Sequence, residues 1–371
     1  MHEELTLDMP MVVSAIVLVL TFAGIFTEHL HHIHRTKVAL LGAGLMVLVG
    51  QMFGFYDPER AVEAIDWNVI FLLGAMMTVV AIMIPTGGFQ AVAYWVAEFS
   101  RGRLFLLLFT MGASISIMSM FLANVTVVAI FGPLIVLIAQ ALKVNPVPHL
   151  MAAALLSNVG GIATLVGDPP NLMIGSAADI DFTSFFLRMG AVVLATWMIT
   201  LLAIRVLFNK NLSAKPGKTV FSDTQVIQDK RIWYASLITM VLMIVLFVFQ
   251  SALGWDAWVV SAVGLTILLT LTYKVNPDNY FTDIELSLLA FFIALFVIVG
   301  GVEHSHFLEW VGALITPLVK HDMLTACLIL IWVSAILSAI IDNIPFTAAM
   351  IPIILGLEAQ ESDVLPLWRA L

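Results

Sequence analysis

Polar side chains interrupt the long apolar runs of this sequence at three places, and these are the residues best suited to bind an ion. The first interruption is Asn124-Val-Thr126, the second extends from Ser157 to Asn171, and the third extends from Asp342 to Thr347. Backbone groups inside hydrocarbon must be hydrogen-bonded within the protein, so a break in an apolar helix requires a buried or watery site. The three breaks are therefore the candidate ion-binding regions.

The second break combines two glycines and two prolines that one regular helix cannot accommodate. Gly160-Gly161 and Pro169-Pro170 flank Asp168, so the run must unwind between them. Unwinding exposes carbonyl oxygens, which suit a cation, and the start of a second half-helix, which suits an anion. In the third break, the Asp342 carboxylate lies deep in an apolar run, where ionisable residues are costly and usually functional.

Each of these features also has a purely structural interpretation. Asn124 can hydrogen-bond a neighbouring helix, Gly160-Gly161 can permit close helix packing, and Asp168 can cap a helix at the membrane surface. The cluster His29, His31, His32 and His34 fits an interfacial loop better than a zinc or pH-sensing site.

The composition shows which elements must position these residues. Of 371 residues, 61% are hydrophobic and 11% are charged, whereas soluble domains are about 25% charged. This excludes a soluble enzyme, a disordered protein and a nucleic-acid binder, and predicts an all-α polytopic membrane protein. The one cysteine, Cys327, permits no disulfide within the chain.

Twelve apolar runs are predicted to be membrane-embedded helices. They cover 11–28, 36–54, 67–85, 104–121, 127–142, 148–166, 183–208, 232–250, 255–273, 284–302, 322–341 and 344–357. Residues 89–100 and 306–319 are amphipathic and predict interfacial helices.

The charge distribution predicts the orientation of the chain. Residues 209–231 form the one long polar segment and are rich in Lys. We interpret them as a cytoplasmic linker between a first transmembrane repeat (1–208) and a second (232–371). With 104–142 as a re-entrant hairpin, twelve of the sixteen Lys and Arg residues lie inside and four outside. The threading predicts an inner-membrane protein whose N-terminus is outside.

A weak internal repeat appears when the sequence is shifted by 219 residues. Asp66 then falls on Glu285, Asn124 on Asn343 and Pro133 on Pro352. The predicted threading gives the two copies opposite orientations, an arrangement common in secondary transporters. The counterpart of the second break would follow residue 371, so the second repeat is expected to be incomplete and the chain to be truncated.

Two stretches, SNVGGIATLVGDPPNLMIG at 157–175 and DNIPFTAAMIPI at 342–353, resemble the ion transporter superfamily. The similarity is to its ArsB/NhaD and P-protein branch and to citrate-transporter-like permeases. It implies two inverted repeats, each with scaffold helices, a re-entrant hairpin and a broken helix. From the breaks and this resemblance, the candidate ion- or substrate-binding residues are Asn124, Thr126, Ser157, Asn158, Gly160, Gly161, Thr164, Asp168, Asn171, Asp342, Asn343 and Thr347.

The hairpin tips depart from the Ser-Asn-Thr run of the related dicarboxylate carriers, reading Ala-Asn-Val-Thr and Asp-Asn-Ile-Pro. We therefore expect a secondary active transporter of a small inorganic ion, of arsenite/antimonite or sodium–proton antiport type. Asp342 would be a proton or sodium carboxylate. A citrate-type organic anion carrier and a passive anion channel of P-protein type are the alternatives.

We expect neither an enzyme nor a metal or organic cofactor, because no nucleophile–base pair, metal-ligand motif or phosphate loop is present. Coupling would be by H⁺ or Na⁺. The expected partners are the small-ion substrate, the lipid bilayer and, by resemblance, a second copy in a homodimer, with no nucleic acid.

Overall fold

The computed structural model describes residues 7–213, 227–276, 280, 282–313, 322–340, 343–358 and 365–370. Within these residues all regular structure is helical. In chain order the helices are α1 (Met9–Phe26), α2 (Glu28–His31), α3 (Arg35–Phe53), α4 (Pro58–Glu63), α5 (Trp67–Met83), α6 (Gly88–Phe99), α7 (Leu104–Ser119), α8 (Asn124–Leu142), α9 (Val147–Gly161), α10 (Pro169–Ala177), α11 (Phe182–Leu207), α12 (Asn209–Leu212), α13 (Lys230–Leu253), α14 (Ala257–Leu271), α15 (Leu286–His304), α16 (Met323–Ile340), α17 (Asn343–Glu358) and α18 (Leu365–Ala370).

Seven described helices are long and apolar enough to cross a bilayer, namely α1, α3, α5 with the 3₁₀ turn that follows it, α8, α11, α13 and α15. Four shorter ones, α7, α14, α16 and α17, are also apolar. Together with α9, they correspond to the twelve segments predicted from the sequence. The prediction of an all-α polytopic membrane protein is therefore confirmed, whereas the inverted repeats and their membrane orientation remain predictions.

The chain forms two compact units. Unit 1 contains residues 1–70, 176–179 and 285–371, and unit 2 contains residues 71–175 and 180–284. Each unit contains segments from both sides of the polar linker. The units therefore differ from the two predicted repeats, which were defined by sequence similarity and not by compactness. Most of the linker lies outside the described residues.

In unit 1, the helices α1, α3 and α15 pack on one another, and small residues permit their close approach. A Cβ on Gly42 would lie 2.3 Å from Oγ1 of Thr21, so only glycine lets α3 contact α1 there. Ser14 of α1 and Ser305 at the end of α15 share a buried hydrogen bond of 2.6 Å. Small residues and buried hydroxyl pairs typically join helices in lipid, where apolar burial contributes little.

In unit 2, α9 lies at the centre of the packing and contacts α7, α8 and α11. Its buried face includes His149, Ala153, Leu156 and Gly160, spaced three or four residues apart. This spacing gives α9 one continuous buried stripe. The helix that carries the second break is thus held by three neighbours of the same unit.

The four histidines of the cluster are exposed in unit 1, His29 and His31 in the short helix α2 and His32 and His34 in the loop between α2 and α3. His31 Nε2 lies 2.8 Å from the carbonyl oxygen of Gly24, and His34 Nδ1 accepts a hydrogen bond from the Thr36 N–H at the start of α3. These backbone contacts are those of a loop that connects and caps helices.

Candidate functional site

The first interruption is a tight turn between α7 and α8. Helix α7 ends at Ser119, and α8 begins at Asn124, whose Oδ1 accepts a hydrogen bond of 2.7 Å from the Val125 N–H. At 16 residues, α7 is about 24 Å long, shorter than the ~30 Å hydrocarbon core. This length suits the predicted re-entrant hairpin, with Asn124 at its tip.

The second interruption is a true break, as the sequence predicts. Helix α9 ends at Gly161, residues 162–168 form irregular turns, and α10 begins at Pro169. Pro169 and Pro170 occupy the first two positions of α10, where a missing N–H costs no helical hydrogen bond. The apolar run predicted to continue as a helix to residue 166 therefore stops five residues earlier.

The hairpin tip and the broken helix meet through two asparagines. Asn124 donates a hydrogen bond from its side-chain amide to Oδ1 of Asn158, one turn before the end of α9. The side chain of Asn158 is exposed. A polar pair on the open face of membrane helices is expected to border a water-filled cavity and not lipid.

Glycine allows the two backbones to come this close. A Cβ on Gly160 would lie 2.4 Å from the carbonyl oxygen of Ser116, and one on Gly167 would lie 2.5 Å from that of Gly161 and 2.7 Å from that of Ser119. Side chains cannot be accommodated at such distances. The end of α7, the end of α9 and the unwound segment therefore converge on one small region, which we call the break site.

Two side chains brace the break site. Thr164, which is 1% exposed, donates its hydroxyl to the Met120 carbonyl oxygen at the hairpin tip and accepts from the Gly167 N–H at 3.1 Å. Asn171 of α10 donates from its side-chain amide to the carbonyl oxygens of Gly161 (3.1 Å) and Thr164 (2.9 Å). Asn171 therefore connects α10 to the unwound carbonyls and fixes their direction.

Ser119 belongs to the break site although it is absent from the sequence-based candidates. Its side chain is fully buried, and among the described residues its Oγ has no hydrogen-bond partner. That oxygen lies 3.5 Å from the position of a Cβ on Gly161. Serines in membrane helices usually bond a carbonyl of the preceding turn, so an unpaired buried hydroxyl beside an unwound backbone segment is suited to a ligand.

The electrostatics of the break site favour a cation. Carbonyl oxygens at the end of α9 carry the negative end of its dipole, and Asp168 is half-buried beside them. The start of α10 is a poor anion site, contrary to the sequence-based expectation, because Pro169 and Pro170 have no N–H. The next two N–H groups, of Asn171 and Leu172, both donate to the Asp168 carbonyl oxygen.

The remaining candidates have less direct roles or lie elsewhere. Ser157 is buried and donates to the Ala154 carbonyl oxygen of its own helix, and Thr126 is half-buried in the first turn of α8. Asn343 and Thr347 lie in unit 1, at the start of α17, where Asn343 is exposed and Thr347 is buried. Asp342 lies outside the described residues.

The second hairpin tip repeats the spacing of the first. Ser338 of α16 precedes Asn343 by five residues, as Ser119 precedes Asn124, and the shift of 219 residues superimposes both pairs. Ser338 is exposed, unlike Ser119. This Ser-x₄-Asn spacing was the available sequence signal for Ser119.

Comparison with known proteins identifies the family. The family model described as "Citrate transporter" matches residues 11–371. A 46 kDa membrane protein of Mycobacterium leprae is 32% identical over 95% of this chain and 82% of its own length. An uncharacterized transporter of Mycobacterium tuberculosis is 32% identical over 93% and 81%.

The P protein of Mus musculus is 28% identical over 98% of this chain and 53% of its own length. The resemblance to the P protein and to citrate-transporter-like permeases is therefore confirmed, and the protein is a transporter and not an enzyme. The chain belongs to the citrate transporter family.

Proposed function

We propose that this protein is a secondary active transporter in which the break site binds the coupling cation. The transported solute is a small ion, moved by alternating access and coupled to Na⁺ or H⁺. Of the two, Na⁺ fits the break site better, since its ligands there would be hydroxyl and carbonyl oxygens. This proposal includes sodium–proton antiport, in which both ions cross.

The observation that supports it best is the buried, unpaired Ser119 hydroxyl beside the Gly161 and Gly167 backbone. An unsatisfied buried hydroxyl costs about 1–3 kcal/mol, and a bound cation would supply its missing partner. The half-buried Asp168 adds negative charge to the same region. The Asn124–Asn158 amide pair would contact the transported solute at the open face.

The proposal is tested by solute flux into proteoliposomes with an imposed sodium or proton gradient. We expect uptake against a concentration gradient that depends on sodium, and Ser119→Ala is expected to raise the sodium concentration for half-maximal flux at least tenfold. Thr110→Val is the matched control, since Thr110 of the same helix donates to the Leu106 carbonyl oxygen within α7.

The outcomes separate the alternatives. If the sodium dependence of flux were unchanged in both Ser119→Ala and Thr110→Val, the cation would not bind at the break site. Flux that only dissipates gradients would indicate a passive anion pathway. Dependence on protons alone would move the coupling group to a carboxylate such as Asp168 or Asp342.

The solute itself is proposed as an inorganic ion, arsenite or antimonite, or a proton exchanged for sodium. The description of the matching family favours a second candidate, a citrate-type organic anion. A panel of arsenite, antimonite, citrate and succinate, each tested with and without sodium, decides between them. Citrate uptake that saturates, without arsenite uptake, would overturn the inorganic assignment.

The orientation follows from charge. With the linker cytoplasmic, most Lys and Arg residues lie on the inner side, and the N-terminus lies outside the plasma membrane. Cysteines introduced singly at exposed Asp8 and Lys210 into a Cys327→Ser background should react with an impermeant maleimide from outside and only after lysis, respectively. The reverse pattern would invert the topology.

A further inference from the structure

Helix α10 is held at both of its ends. At its start, Asn171 donates to two carbonyl oxygens of the break site, as described above. Near its other end, Ser176 donates a hydrogen bond of 2.5 Å to Oδ2 of Asp66. Between these two residues α10 is one continuous helix, and the side chain of Leu165 contacts it at Gly175.

Asp66 uses both of its carboxylate oxygens. Its Oδ1 accepts from the Asn68 and Val69 N–H groups (3.1 and 3.3 Å) and so caps the start of α5. Its Oδ2 accepts from Ser176, which is 110 residues away in sequence. Hydrogen bonds to an ionised carboxylate are about twice as strong as neutral ones.

The hydrogen bond between Asp66 and Ser176 joins the cap of α5 to the last turn of α10. Asp66 and Ser176 both lie in unit 1. After Ser176 the chain reverses direction through Asp179, whose φ is +49°, and the Ile180 N–H returns to the Gly175 carbonyl oxygen at 2.9 Å.

We propose that Asp66 is a positioning residue for the break site and acts through Ser176 and α10. By fixing the end of α10, it fixes Asn171 and therefore the direction of the Gly161 and Thr164 carbonyl oxygens. In this proposal neither Asp66 nor Ser176 contacts the ion. This inference rests on the proposed function for its effect on transport, but its effect on the backbone is independent of it.

The test compares Ser176→Ala with Ser176→Thr, which restores the hydroxyl. Backbone amide hydrogen exchange is measured at Ile180, beside the bond, and at Gly167, whose N–H donates to Thr164 in the break site. We expect Ser176→Ala to raise exchange about tenfold at Ile180 and at least threefold at Gly167, and Ser176→Thr to retain wild-type rates.

A matched control lies in the same region. Ser184 donates a hydrogen bond of 2.6 Å to Oδ2 of Asp181 within the cap of α11, so Ser184→Ala removes a similar bond that is only local. It should change exchange at neither Ile180 nor Gly167. Asp66→Ala, which removes both carboxylate oxygens, should raise exchange at Ile180 and Gly167 at least as much as Ser176→Ala, and adding Ser176→Ala to it should raise exchange no further.

In the flux assay, Ser176→Ala should raise the sodium concentration for half-maximal flux about threefold and leave the maximal rate within twofold. Exchange at Gly167 that stays at the wild-type rate would overturn the positioning role, even if Ile180 changes. If wild-type flux is independent of sodium, sodium binding at the break site is disproved, and exchange at Gly167 still decides the role of Asp66.

Discussion

The two hairpin tips share sequence spacing but differ in how their first arms are packed. Helix α7, which precedes the first tip, buries eight residues along one stripe, and Ser119 is fully buried at its end. Helix α16, which precedes the second tip, buries Ala326 and Ser334 among its residues of described burial. The same Ser-x₄-Asn pattern thus occurs once in a packed setting and once in an open one.

The difference indicates that packing against a broken helix is what buries the Ser119 hydroxyl without a partner, and that the Ser-Asn pattern alone does not. Helix α7 packs on α9 over most of its length, and Gly160 lets the two backbones approach. Helix α16 packs on α17 and α18. The pairing of α16 with α18 is the one that the predicted repeat expects, since α18 corresponds to the start of α9.

The largest expected effect comes from a methyl group at Gly160. Gly160→Ala places a Cβ 2.4 Å from the Ser116 carbonyl oxygen and 2.6 Å from its Cα, both rigid backbone atoms. Helices α7 and α9 must separate, which should destabilise the protein by about 3 kcal/mol. The midpoint of thermal unfolding in detergent measures this.

Gly356 of α17 is the matched control for the open setting. A Cβ there would have its nearest neighbour, the Leu308 carbonyl oxygen, at 3.9 Å. Gly356→Ala should be neutral or stabilising by up to about 1 kcal/mol, the helix propensity difference. Equal losses in the two variants would contradict the contrast between packed and open settings.

The sequence predicts the second break because the residues there cannot form one continuous helix. Gly160-Gly161 and Pro169-Pro170 cannot continue one helix, and the structure unwinds between them. The twelve apolar runs are equally predictable, because backbone in hydrocarbon has few options other than helix. Hairpin-tip Asn124 was also found from sequence, as a polar residue between apolar arms.

Other features of the candidate site could not be predicted from the sequence, because they depend on tertiary contacts. Ser119 lies in an apolar helix like many serines, and only the close approach of Gly161 and Gly167 leaves its hydroxyl unpaired. Asn171 was expected to contact an ion, whereas its amide is engaged by two carbonyl oxygens. The start of α10 has few N–H groups to offer an anion for a reason already visible in the sequence, since Pro169 and Pro170 remove two donors.

A smaller loss of stability is expected when the side-chain amides of Asn171, at the break site, and Asn343, at the second hairpin tip, are removed. Asn171→Ala removes the hydrogen bonds to the carbonyl oxygens of Gly161 and Thr164. We expect the free energy of unfolding to fall by about 2 kcal/mol. Asn343→Ala, at an exposed position, should cost less than about 0.5 kcal/mol. Thermal unfolding of both variants in detergent checks the difference.

Asn171→Asp sharpens this test. A carboxylate cannot donate and would face the oxygens of Gly161 and Thr164, so we expect it to lower the unfolding midpoint more than alanine does. If aspartate were tolerated better than alanine, the Asn171 amide would not be what holds the two carbonyl oxygens in place.

The smallest effect, with the most informative sign, is expected from Ser119→Ala in the absence of sodium. Removal of a buried hydroxyl without a partner should stabilise the protein by about 1 kcal/mol. Sodium at 100 times the wild-type Kd should reverse the order of wild type and variant, because it stabilises the wild type by about 2.7 kcal/mol and a variant with tenfold weaker binding by only about 1.4 kcal/mol. Ser338→Ala, at an exposed position, should match wild type in both conditions. If Ser119→Ala responded to sodium as wild type does, the cation would bind away from this hydroxyl, and the packed tip would differ from the open one in stability alone.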